Sequence, residues 1–433
     1  MASLSPREIA LRVMLRLLDR GRSLDDIFAS DWYRGLAVEA RDLALSRELA
    51  YGLCRWYLPL SAIVAERLDK PLRNKDRDVE LMLMLGLYQL LIMKTPAHAA
   101  VNESVALARR RRKQWAKGLI NAVLRGAIRD GVALDTDPAA AYPQWMRQRI
   151  LDDWGKAAPD LMSAGNGRAP MTLRVDIRQV NRDEYITQLG ENDIEASAHA
   201  EVPTAVNLSS PCAVERLPGF TEGKVSVQDA AAQLAAVLLD CRPGMRVLDA
   251  CAAPGGKSAH LLQTSDDLDL VALDVDADRL DSVSQNLQRI GRSAQLIRGD
   301  AAKPGEWHQD DAFDRILVDA PCSASGVIRR HPDIRLLRRE SDILSLVDRQ
   351  RQILDACWQL LKPGGKMLYS TCSIFRAENE LQIESFLQRH SNAFEIPLND
   401  ERWGRQRDPG RQILTGEQDM DGFYYALLRK QAN

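Results

Sequence analysis

Two cysteines stand fifty residues apart in this chain, Cys322 in Asp319-Ala320-Pro321-Cys322-Ser323 and Cys372 in Ser370-Thr371-Cys372-Ser373. Each lies just past an apolar run of the kind that forms a buried strand. Parallel strands of an open α/β sheet deliver their carboxyl ends to the ligand crevice, so two strands that run out into cysteine aim two sulfurs into one pocket. A free thiol has a pKa of about 8.5 and is mostly protonated at neutral pH unless nearby positive charge favours the anion. Lys257 is a candidate source of that charge.

Substitution at carbon 5 of a pyrimidine is a chemistry that calls for such a pair. Carbon 5 is a poor nucleophile, but a thiolate added at carbon 6 turns the ring into an enamine-like species that can take up a methyl group. The adduct must then lose the proton at carbon 5 and expel the sulfur, so it needs a base that a second thiolate can supply or assist. Asp319, three residues before Cys322, is a candidate to bond the ring nitrogen and amino group, provided its carboxyl carries a proton. The bland alternative is a solvated strand-end acid. These residues alone leave open which cysteine attacks.

A methyl donor has a candidate seat upstream. Val247-Leu248-Asp249-Ala250 reads as a strand, Cys251, Ala252, Ala253, Pro254, Gly255 and Gly256 as a tight small-residue turn, and Lys257 as the start of a helix, an arrangement that lets backbone approach a ligand closely. Eighteen residues after Gly256 the strand Val271-Ala272-Leu273 ends on Asp274, placed to accept hydrogen bonds from ribose hydroxyls. Asp300, ending the next strand, is a candidate for the adenine amino group. The loop lacks both the G-x-G-x-x-G pattern of dinucleotide binders and the phosphate-loop pattern. S-adenosylmethionine has no pyrophosphate to cradle, so this shorter turn suits it.

The elements that must position these residues follow from periodicity. From Ser5 to about Asp130 apolar residues recur at helical spacing, as in Ile9-Ala10-Val13-Met14-Leu17-Leu18, with Ser5, Pro6 and Glu8 as a helix start and Glu8 completing a capping box. Val132 to Pro170 is polar and proline-punctuated, with a helix expected over Pro143 to Trp154. Strands at Met171–Val175 and Ala205–Leu208 around a helix at Arg182–Leu189 make a small α+β unit. After Gly223, strand and helix patterns alternate as far as Gln388, which calls for a doubly wound, mostly parallel sheet. The expected domains are thus a helical one over 1–140, a connector over 141–170, the α+β unit over 171–223 and the α/β domain over 224–433.

Composition bounds the rest. The 433 residues, 45% hydrophobic and 27% charged with a formal net charge of -2, describe a multidomain globular chain rather than one coated in nucleic acid. Polyanion contact has to come from local patches, and Arg109, Arg110, Arg111, Arg112 and Lys113 form the densest one. A helix end bearing favourable cations is the competing reading. Leu81 to Met93 is apolar but short and broken by Gln89, so it reads as a buried helix rather than a membrane span. The N-terminal residues show no secretory pattern, so a cytoplasmic protein is expected. Seven cysteines without a C-x-x-C pair argue against zinc and against a disulfide framework, and Cys54, Cys241 and Cys357 are expected to be small buried hydrophobes.

Taken together, Asp249 to Leu261, Asp319 to Gly326 and Thr371-Cys372-Ser373 closely resemble the motifs of the S-adenosylmethionine-dependent RNA cytosine-5 methyltransferases, and the resemblance spans nearly the whole chain. It implies a NusB-type helical RNA-binding domain, a small α+β subdomain and a Rossmann-like catalytic domain. It further implies that Cys372 attacks carbon 6, that Cys322 promotes product release, and that Cys251 through Lys257, Asp274, Asp300 and Asp319 hold the cofactor. The implied substrate is one cytosine of small-subunit ribosomal RNA, bound in part through Arg109 to Lys113 by a metal-free monomer. Two rival readings remain: a non-catalytic RNA-binding factor with a vestigial methyltransferase fold, against which both motif cysteines count, and a nucleotide-dependent oxidoreductase, against which the missing G-x-G-x-x-G counts.

Overall fold

The computed structural model describes residues 4–135, 137–309 and 311–432. Met1 to Ser3, Thr136, Asp310 and Asn433, which the expected domains include, lie outside the described residues. The chain divides into two compact units, Met1–Gly167 with Ile328–Arg338, and Arg168–Val327 with Arg339–Asn433.

The first unit is helical, as its periodicity predicts. Ser5 caps the helix Pro6–Arg20 by accepting the Glu8 N–H, and Gly21 at φ 63° ends it. The capping box is only half made, because the Glu8 carboxylate pairs with Arg12 at 2.7 Å. The apolar run after Glu80 lies in the helix Arg77–Leu91, whose Leu81, Met82, Leu83, Met84, Leu85 and Leu87 are all buried in the core of the unit. Among the described residues no helix is long and apolar enough to cross a membrane.

One later segment, flanked on both sides by the second unit, packs with this helical unit. Ile328–Arg338 leaves the second unit just after the Cys322 loop and rejoins it at Arg339. Asp333 accepts the Leu24 N–H at 3.1 Å, and the buried Arg335 guanidinium donates to Arg55 O at 3.0 Å and Gly165 O at 2.9 Å while lying over the Tyr142 ring. A buried carbonyl deprived of its donor costs about 1–3 kcal/mol. Arg335→Leu removes the donor to two of them, so the expected loss is roughly 2–4 kcal/mol from the helical unit, read as an earlier unfolding transition in a thermal melt of the full chain.

The second unit contains two sheets. Strands β1 (Met171–Val175), β2 (Ala196–Ala198), β3 (Ala205–Leu208) and β4 (Val225–Val227) form an antiparallel sheet in the order β2-β3-β1-β4, with the helix Arg182–Glu191 packed on it. The larger sheet is built from β5 (Arg246–Asp249), β6 (Asp269–Asp274), β7 (Gln295–Arg298), β8 (Phe313–Asp319) and β9 (Leu361–Thr371). These run parallel in the order β9-β8-β5-β6-β7, which places the topological switch between β5 and β8. Apolar side chains alternate to both faces: Val247, Leu270 and Leu317 go to one core, Leu248, Val271 and Ile316 to the other. Burial on both faces is why these strands read as continuous apolar runs.

The far edge is antiparallel and was not expected from the sequence. Strands β10 (Ala393–Ile396), β11 (Arg405–Gln406), β12 (Arg411–Ile413) and β13 (Phe423–Lys430) extend the sheet beyond β9, with β13 pairing both β9 and β10. Their short lengths and interspersed arginines hide the pattern, since the buried partners of Arg411 are carbonyls of its own neighbourhood rather than solvent.

Candidate active site

The register of β8 against β9 opposes Val318 to Tyr369 and Asp319 to Ser370, so both strands end at the same level. The chain then turns twice into loops that lie together. Gly326 N–H donates to Cys372 O at 2.9 Å, and a Cβ on Gly326 would stand 2.1 Å from Gly422 O, so only glycine fits this closing turn. The two sulfurs, Cys322 Sγ and Cys372 Sγ, are 3.5 Å apart. Cys322 is buried, at 8% exposure, whereas Cys372 is partly exposed.

Charge is arranged around this pair. Lys257, in the first turn of the helix Gly256–Thr264, donates to Asp319 Oδ2 at 2.6 Å, and Ser370 Oγ donates to Asp319 Oδ1 at 2.9 Å. Burial opposes the Lys257 ammonium, but the charge and hydrogen bond of Asp319, with the negative charge of Cys372 and Asp249, outweigh it and raise its pKa. The hydrogen bond to Cys372 first, then burial and the charges of Cys372 and Glu378, push the Cys322 thiol well up. Cys322 therefore keeps its proton.

The glycine turn lies at the end of β5. Gly255 adopts φ 96°, and a Cβ there would meet Val283 Cα at 3.0 Å, so the turn packs against its neighbouring helix as only glycine allows. Asp274, buried at the end of β6, accepts the Ala253 N–H at 3.1 Å and shapes the same turn. Asp300, after β7, accepts the Ala302 N–H and pairs with Arg349. Burial acts against the Asp300 carboxylate, but those two contacts win and hold its pKa down. Its carboxylate is thus already engaged by Arg349.

The sequence reading passed over two acids here. Asp249, fully buried at the end of β5, accepts Ser258 Oγ–H at 2.6 Å through Oδ2, while Oδ1 has no partner among the described residues. Burial raises its pKa to about 7, and Asp319 and Asp274 add to the rise. A buried aspartate at a strand end looked like the last residue of a strand. Glu378, the other, reads in sequence as the first acid of a helix, but the helix begins at Glu380 and Glu378 turns inward.

The basic run lies in the helical unit. Arg109, Arg110 and Arg112 are exposed, while Lys113 pairs with Asp76 and Asp78 at 2.8 and 3.2 Å and Arg111 approaches Asp78 at 3.9 Å. Two of the five cations are thereby committed within the fold. All seven cysteines are free; Cys54 and Cys357 are buried as expected, but Cys241 is only half-buried. No group of three or more metal-ligating side chains is found among the described residues.

Comparison with known proteins now bears on this geometry. Residues 236–429 match the family model described as 16S rRNA methyltransferase RsmB/F, residues 4–129 the NusB family and residues 142–215 the RsmF/B-like ferredoxin-like domain. Ribosomal RNA small subunit methyltransferase B of Pseudomonas syringae pv. tomato is 44% identical over 99% of this chain and 98% of its own. The chain belongs to the RsmB/F family of rRNA methyltransferases. The Vibrio cholerae RsmB/F relative of the same description is likewise 44% identical, over 98% of this chain and 97% of its own. Among solved structures, PH0851 is 25% identical with TM-score 0.82 over 99% of this chain and all of its own, and a methyltransferase homolog protein from Pyrococcus horikoshii is 28% identical with TM-score 0.58 over 67% and 95%. Residues 4–129, 142–215 and 236–429 are thus the NusB-like, ferredoxin-like and methyltransferase parts of an RsmB/F chain.

Asp249 makes stability depend on pH. Its folded pKa lies above that of an unfolded aspartate, so between about pH 4 and pH 7 the native state holds a proton that the unfolded chain has released. Stability contributed by this group is full at low pH and is lost as pH rises through that window. Asp249→Asn should remove the loss, gaining up to about 4 kcal/mol over the parent at pH 8 and little at pH 4; melting curves across this range check it, and a pH-independent difference would refute it.

Proposed function

We propose that this chain transfers a methyl group from S-adenosylmethionine to carbon 5 of a cytosine in small-subunit ribosomal RNA, through a covalent bond from Cys372 to carbon 6. The observation that carries the reading is the pair of sulfurs 3.5 Å apart beside the Lys257–Asp319 ion pair. Membership of an rRNA methyltransferase family supplies the reaction class.

The residues of the glycine turn suit this cofactor. S-adenosylmethionine supplies an electrophilic methyl group on a cationic sulfur, and it carries an ammonium as well. Asp249, Asp274 and Asp319 stand around the turn with Lys257 and Arg279, and Asp249 Oδ1 has no partner among the described residues. Cys251 through Lys257 would form the wall of the site, Asp274 would take the ribose hydroxyls and Asp300 the adenine edge.

Attack by the Cys372 thiolate places negative charge on the pyrimidine ring. The proton shared across the 2.6 Å Lys257–Asp319 contact lies ready to neutralise it at the ring nitrogen. Carbon 5 then takes the methyl group. Before attack, the hydrogen bond and charge of Cys372 keep Cys322 protonated. Once Cys372 is bonded to carbon, that charge is gone and the Cys322 thiol acidifies. It releases its proton to solvent, and the thiolate then takes the proton on carbon 5 while the Cys372–carbon bond breaks and Cys372 leaves with the electron pair as a thiolate. The covalent step itself thereby converts Cys322 from a spectator thiol into a base. Cys372, the more exposed sulfur, is the one open to a ring.

Cys372→Ala is expected to abolish methyl transfer. Cys322→Ala should transfer the methyl group and then stall, leaving protein bound to RNA through a denaturing gel; an adduct formed by the Cys372 variant instead would reverse the assignment.

RNA is held in part through the NusB-like unit, with Arg109, Arg110 and Arg112 meeting phosphates, and the enzyme works as a cytoplasmic monomer. Each phosphate contact to single-stranded nucleic acid contributes about 0.7 to the slope of log affinity against log salt. Replacing all three arginines with alanine should flatten that slope by roughly 2; titrations at several salt concentrations measure it, and an unchanged slope would move the RNA path elsewhere.

A further inference from the structure

Glu378 is fully buried and accepts four hydrogen bonds. Its Oε1 takes the Ser323 N–H at 2.8 Å and Gln350 Nε2 at 3.1 Å, and its Oε2 takes the hydroxyls of Ser323 and Ser373 at 2.5 and 2.6 Å. Ser323 follows Cys322, and Ser373 follows Cys372. One carboxylate therefore grips the residue after each thiol. Gln350 also donates to Pro321 O at 3.0 Å, so Cys322 is held from both flanks.

A carboxylate is a costly way to fill a core, since apolar side chains of similar volume hold a fold as well or better. What it supplies is direction: two oxygens whose lone pairs fix the donors around them. We infer that Glu378 is a positioning residue for methyl transfer, clamping the two thiol-bearing loops at one spacing and setting a negative charge behind Cys322. This rests on the division of labour between the thiols proposed above. Fully buried, Glu378 acts on RNA only through the cysteines it places. The charge of Glu378 adds to the influences that keep Cys322 protonated, so it helps to hold that thiol back until Cys372 has reacted. A displacement of the reacting groups by about 1 Å costs on the order of 100-fold in rate, which is the scale on which such a clamp matters.

Glu378→Gln keeps the shape and lets the serine hydroxyls turn to accept, but it removes the charge. In the full chain without RNA, alkylation of each cysteine by iodoacetamide across pH, followed by peptide mass spectrometry, should show the Cys322 midpoint moved down by about one pH unit. Single-turnover methylation of RNA should fall at least tenfold while KM for RNA stays put. Ser373→Ala, which loosens the Cys372 loop and leaves the carboxylate in place, should also lower the single-turnover rate at least tenfold and keeps the test open if the Gln variant folds poorly. An unchanged Cys322 profile with parental methylation, or a rate loss that merely tracks a lower melting temperature in both variants, would make Glu378 a structural staple and overturn the inference. The alkylation profile needs no RNA, so failure of cytosine methylation in the parent protein would sink the proposed function and leave this test standing.

Discussion

The pairing of β8 with β9 is the constraint on which the site depends. Because side chains alternate along a strand, a slip of one residue would send Tyr369 and its neighbours to the wrong face, so the two buried cores fix the register. That register sets Asp319 opposite Ser370 and brings the loops after both strands to one place. Two thiols fifty residues apart in the chain thereby become neighbours, and the glycine-closed turn at Gly326 ties their loops by a direct backbone bond.

Electrostatics give the pair its asymmetry. A hydrogen bond to Cys372 and burial hold the proton on Cys322, while Asp319 steadies the Lys257 ammonium. Burial raises the Asp249 pKa to about 7, and the charges of Asp319 and Asp274 add to the rise. The wider sheet serves this arrangement: the antiparallel strands beyond β9 cover its free edge, and Tyr425 on β13 bonds back to Ala231 O, so β9 and its cysteine lie inside the sheet rather than on its rim.

Much of the fold was legible because burial leaves a periodic mark. Helical spacing before Asp130 and alternating strand and helix patterns after Gly223 came from side chains that face a core. The antiparallel edge went unseen because β11 and β12 are short and polar, with Arg411 buried against carbonyls that only the folded chain supplies. The packing of Ile328–Arg338 with the helical unit was hidden for a similar reason: Asp333 and Arg335 look like surface charges until that unit provides their partners. The basic run reads as five equivalent cations, yet Asp76 and Asp78, more than thirty residues earlier, claim Arg111 and Lys113.

The candidate site divides the same way. Residue types and local spacing were enough for the glycine turn, the strand-end acids and the two cysteines, since a tight turn and a reactive thiol are properties of a few consecutive residues. The distance between the sulfurs, the pairing of Lys257 with Asp319, the pairing of Asp300 with Arg349 and the grip of Glu378 on both loops were decided only by tertiary structure. Each of these joins groups far apart in the chain across a buried interior. There, which charge finds which partner depends on strand order and register, and no local pattern encodes either.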